Sequence, residues 1–255
     1  IQFVALCAME PPVSFNEKDF RDEVVKVYKS LKPLTKNEIE HNVVRGQYMA
    51  SDKGGEQVNG YRQEHNISPK SMTETFLAMK LEISNWRWDG VPFYIRTGKQ
   101  MPTKVTEIVI HFKETPHYLF DNQQNKPIAK QLVIRIQPNE GIVLKFGLKV
   151  PGSGFDVKPV SMDFTYDSLG GIPTEDAYSR LIEDCMAGDS TLFTRSDAVE
   201  SSWNFFDPIL NFWENNQAPL YGYPAGTWGP LESEQILNGN EWTNPCKNLT
   251  KTDLY

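Results

Sequence analysis

The chain has 255 residues and a formal net charge of -7, with 14 Phe, 10 Tyr and 6 Trp. This aromatic content exceeds that of disordered chains, and the length suffices for a substantial hydrophobic core. The acidic balance argues against a nucleic-acid-binding protein, because neutralising phosphates requires a basic surface. No apolar run reaches the length of a membrane span, so we expect no membrane partner.

Cysteine and histidine usage predicts neither disulfides nor a metal site. Cys7, Cys185 and Cys246 lie far apart and form no motif, which is typical of reduced thiols and predicts a cytoplasmic protein. The histidines lack the spacing of metal ligands, so no metal is expected.

The first predicted element is an apolar stretch at the chain start. IQFVALCAM begins without Met and without an N-cap, as the end of a helix that starts upstream would. We therefore expect a fragment of a longer protein.

Ser14 and Glu17 then have the spacing of a capping box, and apolar residues at helical spacing predict a helix over about 15–31. Residues 50–70, rich in Ser, Asp, Gly and Asn, predict a surface loop.

Alternating apolar and polar residues dominate the middle of the chain. The alternation recurs in five segments, at 73–83, 108–112, 132–136, 142–148 and 162–166. Such repetition predicts an α+β fold with a large, mostly antiparallel β-sheet whose apolar face is covered by helices.

The helices that could cover this sheet follow in the last third of the chain. One is predicted over 176–187 and ends at Gly188, a suitable C-cap residue. A second begins at Ser196, and Pro208 is expected to kink or split it. Pro230 precedes a last short helix. No linker or internal repeat interrupts these elements, so we expect one domain.

The segment IRTGKQMPTK, residues 95–104, is cationic in an otherwise acidic chain. It carries Arg96, Lys99 and Lys104 but no acidic residue. It is not a P-loop, because the flanking positions lack the required glycine and hydroxyl residue. Gly98 could adopt a positive φ or admit a ligand close to the backbone, and the cations predict an anion site. Ordinary solvated cations at a sheet edge are the alternative interpretation.

The surrounding motifs resemble the C-terminal domain of glucose-6-phosphate dehydrogenase in order and spacing. The resemblance covers essentially the whole chain. The motifs that carry it are AMEPP, VRGQY, NWRWDGVPFYIRTGKQMPTK, LVIRIQPNEGI, DAYSRLIED, FTRSDAVESSW and YPAGTWGP.

The resemblance implies a fold, an activity and a substrate site. Residues 1–255 would be the substrate-binding and dimerisation domain of an enzyme that oxidises glucose 6-phosphate to the lactone with NADP, in the pentose phosphate pathway. Lys99 and Lys104 would help to bind the sugar phosphate, and Gln137 would also reach the substrate. Family members associate through this sheet, so the resemblance implies a homodimer.

The resemblance also implies what this chain lacks. The family's catalytic base is a His in an N-H-x-x-Q run, and Gln2 resembles the last residue of that run. With the amino-terminal Rossmann domain also absent, we expect no catalytic residue in this chain and no activity from it alone.

Animal members of the family carry a second, structural NADP. Arg96 and Arg135 match its lining, but Val105, Val109 and Val143 stand where those members have Lys, Arg and Tyr. We therefore expect Arg96 and Arg135 to be structural or salt-bridged.

Two alternatives of other classes stay open. The chain could be a non-catalytic module that binds sugar phosphates or other anions, with Trp86, Trp88 and Trp228 stacking on sugars. It could also be an oligomerisation scaffold.

Overall fold

The computed structural model describes residues 1–114, 130–152, 156–166, 177–216 and 218–245. The α-helices are Gln2–Ala8 (α1), Glu17–Lys29 (α2), Lys36–Asn42 (α3), Ala177–Ala187 (α4) and Ser196–Asn216 (α5). The strands are Val43–Met49 (β1), Ser51–Lys53 (β2), Glu56–Val58 (β3), Phe76–Glu82 (β4), Pro92–Gly98 (β5), Thr106–His111 (β6), Gln131–Gln137 (β7), Gly141–Lys149 (β8), Val157–Thr165 (β9) and Tyr221–Pro224 (β10). The predicted α+β class, with mostly antiparallel strands and packed helices, is confirmed.

The chain divides into two compact units. The first comprises Ile1–Met101 and Glu175–Trp242, and the second comprises Pro102–Thr174 and Thr243–Tyr255. The first unit contains all five helices, a four-stranded sheet and the β2-β3 hairpin. The described elements of the second unit are the four strands β6 to β9.

The sheet of the first unit has the strand order β10-β1-β4-β5. β10 runs parallel to β1, and the other pairs are antiparallel. Met79, Leu81 and Ile83 from β4 and its end are almost fully buried in a core that also contains residues of α2 and α5. Helices therefore cover this sheet, which contains the first of the five predicted alternating segments, whereas the other four segments form the sheet of the second unit.

Four of the predicted helices are present, some with different ends. The capping box predicted at Ser14 for α2 is wrong. The N-cap of α2 is Asn16, whose side chain accepts a hydrogen bond from the Asp19 amide at 2.9 Å. Gly188 has a φ of 74° and follows α4, as expected of a C-cap. α5 is assigned as one helix through Pro208 and is not split. The short helix after Pro230 is a 3-10 helix, Leu231–Leu237.

Several elements were not predicted. Thr35 and Glu38 form the capping box of α3, and that helix ends at Asn42 where β1 begins at Val43, with no connecting residue between them. The loop predicted over 50–70 contains the β2-β3 hairpin.

The sheet of the second unit is antiparallel, with the order β6-β7-β8-β9. Apolar residues face each other in two rows across all four strands. The rows are Ile108, Ile134, Ile142 and Phe164, and Ile110, Leu132, Leu144 and Met162. Five of these eight side chains are between 36% and 63% exposed. We call this surface the open face of the second unit.

The opposite face of the same sheet carries the residues that are buried. Val133 and Arg135 on β7 are 1% and 5% exposed. The second unit thus buries a charged residue while its apolar rows face outward.

The described helices include none that is both long enough and apolar enough to cross a membrane. Within the described residues there is also no cluster of three or more potential metal ligands.

Candidate functional site

The cationic segment begins at the end of β5 in the first unit. Gly98 does not have a positive φ, so that expectation is wrong. Glycine is needed there for space, because a Cβ would lie 2.8 Å from Cδ2 of Phe76. The left-handed residue is instead Gln100, with a φ of 49°. Gly98 to Met101 therefore form a tight turn, which we call the Lys99 turn.

The backbone of Lys99 is fixed on both sides of its Cα atom. Its amide donates to the carbonyl of Thr75 at 2.8 Å, and its carbonyl accepts from the Tyr223 hydroxyl at 2.8 Å. The side chain is exposed, and no salt bridge to it is present among the described residues. Lys99 thus offers a free ammonium group on a rigid backbone, which is the arrangement an anion site requires.

Tyr223 was not identified from the sequence as a site residue. It lies in the segment YPAGTWGP, which served only as a mark of the family. Its separation from Lys99 by 124 positions leaves no local signal that could connect the two residues.

Lys104 and Gln137 belong to the second unit, where they lie at the same end of two paired strands. Gln137 is the last residue of β7 and faces Thr106, the first residue of β6. Its side-chain amide donates to the Thr106 hydroxyl at 3.1 Å. Lys104 is exposed two residues before Thr106. The structure therefore brings the Lys104 and Gln137 backbones to one sheet end, while Lys99 is part of the other unit.

Arg96 lies between two aromatic rings of the first unit. Its Cζ atom is 5.0 Å from the ring centroid of Trp228 and 4.8 Å from that of Trp242. Burial lowers the pKa of the Arg96 guanidinium to about 10. These contacts are cation–π interactions. They give Arg96 a packing role that its charge alone does not indicate.

Arg135 forms an ion pair within the second unit. Its Nε is 3.0 Å from Glu107 Oε1, and the two side chains are 4% and 5% exposed. Nearby on the same face, burial and the charge of Lys145 lower the pKa of His111. Burial also lowers the pKa of Lys145. Burial on this face therefore disfavours the charged forms of His111 and Lys145.

The three tryptophans considered for sugar stacking have different environments. Trp88 donates its indole N–H to the Ala8 carbonyl at 2.8 Å and packs on Phe93. Trp228 covers Arg96. Trp86 is fully exposed. Two of the three indoles, those of Trp88 and Trp228, therefore have packing partners within the first unit.

Comparison with known proteins covers nearly the whole chain. The family model described as "Glucose-6-phosphate dehydrogenase, C-terminal domain" matches residues 1–243. A glucose-6-phosphate 1-dehydrogenase from Aggregatibacter actinomycetemcomitans is 53% identical over 253 residues, which are 98% of this chain and 50% of that protein. One from Bacillus subtilis is 44% identical over 246 residues, which are 96% and 50% of the two chains. The chain thus spans about half the length of the curated relatives it matches.

Two solved structures are similar in fold. A glucose-6-phosphate 1-dehydrogenase from Mycobacterium avium has a TM-score of 0.78 and 32% identity, covering 96% of this chain and 48% of that one. The second is titled as a glucose-6-phosphate dehydrogenase in complex with its substrate glucose-6-phosphate. It has a TM-score of 0.81 and 35% identity, covering 94% of this chain and 49% of that one.

Proposed function

Because the chain belongs to the glucose-6-phosphate dehydrogenase C-terminal domain family, we propose that residues 1–255 form the substrate-binding and dimerisation part of such an enzyme. The complete enzyme would oxidise glucose 6-phosphate at C1 in the cytoplasm. NADP, which the rest of that enzyme would bind, would accept the hydride.

The observation that carries this proposal is the Lys99 turn. A phosphate dianion is bound best by cations whose positions are fixed before it arrives, since ordering a flexible side chain costs free energy. Lys99 has an exposed ammonium and an anchored backbone, and no described carboxylate pairs with it. We assign the phosphate to Lys99, and the family resemblance supports Lys104 as a further phosphate ligand and Gln137 as a residue that reaches the substrate.

The assignment is tested in the full-length protein that contains this chain, by following NADP reduction at varied glucose 6-phosphate. Lys99→Ala should raise the KM for glucose 6-phosphate about 10- to 100-fold, as expected from losing a charge-assisted hydrogen bond. The KM for NADP should stay unchanged. Lys70→Ala removes another exposed lysine of the first unit and is the matched control. An unchanged KM in Lys99→Ala would contradict the proposal.

We propose that Arg96 and Arg135 have structural roles and do not bind a second NADP. The Arg96 guanidinium lies over the indoles of Trp228 and Trp242, and Arg135 is paired with Glu107. Val109 and Val143 lie on the same face as Arg135 and offer no charge or aromatic ring. We therefore assign Arg96 to packing and Arg135 to the ion pair with Glu107.

We propose that two copies of the chain associate through the open face of the second unit. Its two apolar rows span all four strands, and a flat apolar surface can pair with itself about a twofold axis. The double variant Leu144→Asp with Met162→Asp places two charges on the β8 and β9 part of this face, and should convert a dimer into a monomer in sedimentation velocity. Trp86→Asp, on an exposed residue of the first unit, is the control. A dimer that persists in the double variant would exclude this face.

A further inference from the structure

The residues that hold the Lys99 turn come from a distant part of the first unit. Tyr223 donates to the carbonyl of Lys99 at 2.8 Å, and the amide of Gly226 donates to the carbonyl of Gln100 at 2.7 Å. Two successive carbonyls of the turn are therefore bound by β10 and the residues directly after it. Since the Lys99 amide is bound to Thr75, both peptide planes that flank its Cα atom are fixed. The direction of its Cα–Cβ bond is fixed with them.

The Tyr223 hydroxyl has one proton and three neighbours. It lies 2.8 Å from the Lys99 carbonyl, and 3.2 Å from both the hydroxyl and the carbonyl oxygen of Thr75. A phenol donates once and can accept from other donors. The shortest contact identifies the Lys99 carbonyl as the acceptor, so the Thr75 hydroxyl can donate to the phenol oxygen. The Thr75 hydroxyl in turn accepts from the Tyr48 amide at 3.0 Å. These bonds link the turn to Tyr48 of β1 and to Thr75, the residue directly before β4.

The ring and the hydroxyl of Tyr223 make different contacts. The ring is 0% exposed and packs against Phe76 and Tyr48, with centroid distances of 5.4 and 6.5 Å. A phenylalanine ring would pack in the same place. The contacts that only a tyrosine can make are those to the Lys99 turn and Thr75.

We propose that Tyr223 is a positioning residue for the substrate, acting through Lys99. Its hydroxyl holds the Lys99 carbonyl so that the ammonium is directed to one place, where it meets the phosphate of the sugar. This inference rests on the proposed role of Lys99 in binding that phosphate. Tyr223 does not itself touch the substrate.

The test compares two tyrosine variants of the full-length protein. Tyr223→Phe should raise the KM for glucose 6-phosphate and the inhibition constant of inorganic phosphate about 3- to 10-fold. The kcat and the KM for NADP should stay unchanged. Tyr48→Phe is the matched control, because it removes a buried hydroxyl of the same cluster that bonds Glu64 and not the turn. A similar rise in Tyr48→Phe would show a general loss of packing and overturn the inference.

A double-variant cycle separates this inference from the proposed function. In a Lys99→Ala background, Tyr223→Phe should have no further effect on the KM, since its effect passes through Lys99. If Lys99→Ala raises the KM but Tyr223→Phe acts equally in both backgrounds, the inference is wrong and the proposed function stands. If Lys99→Ala leaves the KM unchanged, the proposed function fails and the inference fails with it.

Hydrogen exchange gives a measurement that does not depend on activity. The amides of residues 98–101 should exchange faster in Tyr223→Phe than in Tyr48→Phe, while those of β4 stay protected in both. Equal protection of the turn in the two variants would overturn the inference.

Discussion

The two four-stranded sheets of this chain differ in which face is buried. The sheet of the first unit covers its apolar face with helices, and Met79 on its strand β4 is 0% exposed. The sheet of the second unit exposes its apolar rows and buries the Arg135–Glu107 pair on its other face. Strand β4 of the first sheet and strands β6 to β9 of the second show alternation in the sequence. Alternation therefore identifies which residues share a face, but not which face is covered.

The buried ion pair gives the largest effect expected in the second unit. Arg135→Met would leave the Glu107 carboxylate buried without this partner, which should cost about 3–5 kcal/mol of unfolding free energy. Combining it with Glu107→Leu should recover most of that loss. All six tryptophans lie in the first unit, so the second unit is followed by hydrogen exchange of β7 and β8. Equal destabilisation by the single and double variants would contradict this prediction.

A pair of methionines tests the contrast between the sheets directly. Met79→Ala empties space in the covered core and should cost about 2–5 kcal/mol. Met162→Ala, on the open face and 63% exposed, should change the stability of the monomer by less than about 0.5 kcal/mol. Urea unfolding of the first variant is followed by tryptophan fluorescence, and that of the second by hydrogen exchange. Similar costs at the two positions would remove the distinction between a covered and an open sheet.

The tight packing of the first unit is also tested at a glycine. Gly229 has a φ of 110°, and a Cβ there would collide with the ring of Phe76. Gly229→Ala should cost about 2–4 kcal/mol, from overpacking and from the left-handed backbone. The control is Gly239→Ala, because Gly239 has a φ of 90° but nothing within 4 Å of its Cβ position. That variant should cost about 1 kcal/mol. Equal costs in urea unfolding would show that the collision is relieved.

The smallest effect concerns alkaline pH. Burial, together with Glu64, raises the pKa of Tyr48 from 10.0 to about 12. Below pH 10.0 the phenol is protonated in both states, whereas between pH 10.0 and about 12 the unfolded chain loses this proton first. The stability from Tyr48 is thus complete below that window and falls by about 1 kcal/mol per pH unit within it. Tyr48→Phe should reduce the alkaline loss by this amount in urea unfolding followed by circular dichroism. An identical slope in the variant would contradict the prediction.

The sequence predicts those elements whose periodicity is strong and misses those whose burial is uniform. α2 and the strands β6 to β9 repeat their apolar residues regularly. α3 has a single buried apolar residue, Ile39, so it shows no helical period. β1 is buried on both faces, and its buried residues include Arg45 and Gln47, so it shows no alternation either.

The sequence predicts the cationic residues of the candidate site from their charge. Lys99 and Lys104 stand out as cations in an acidic chain, and their place at the ends of strands is consistent with that prediction. Tyr223 could not be identified, because its role depends on a contact with the Lys99 carbonyl that only the fold creates. The packing of Arg96 between indoles likewise depends on Trp228 and Trp242, which are far from it in the sequence.

The direct junction between α3 and β1 limits how the chain can change length. One residue inserted between Asn42 and Val43 would either turn the helix by about 100° or shift the strand by one position. The shift would exchange the positions of Val44 and Arg45 across a strand that is buried on both faces. By contrast, Gly54 and Gly55 at the tip of the β2-β3 hairpin have nothing within 4 Å of their Cβ positions. Insertions and deletions should therefore accumulate at that tip during divergence, and the helix–strand junction should keep its length.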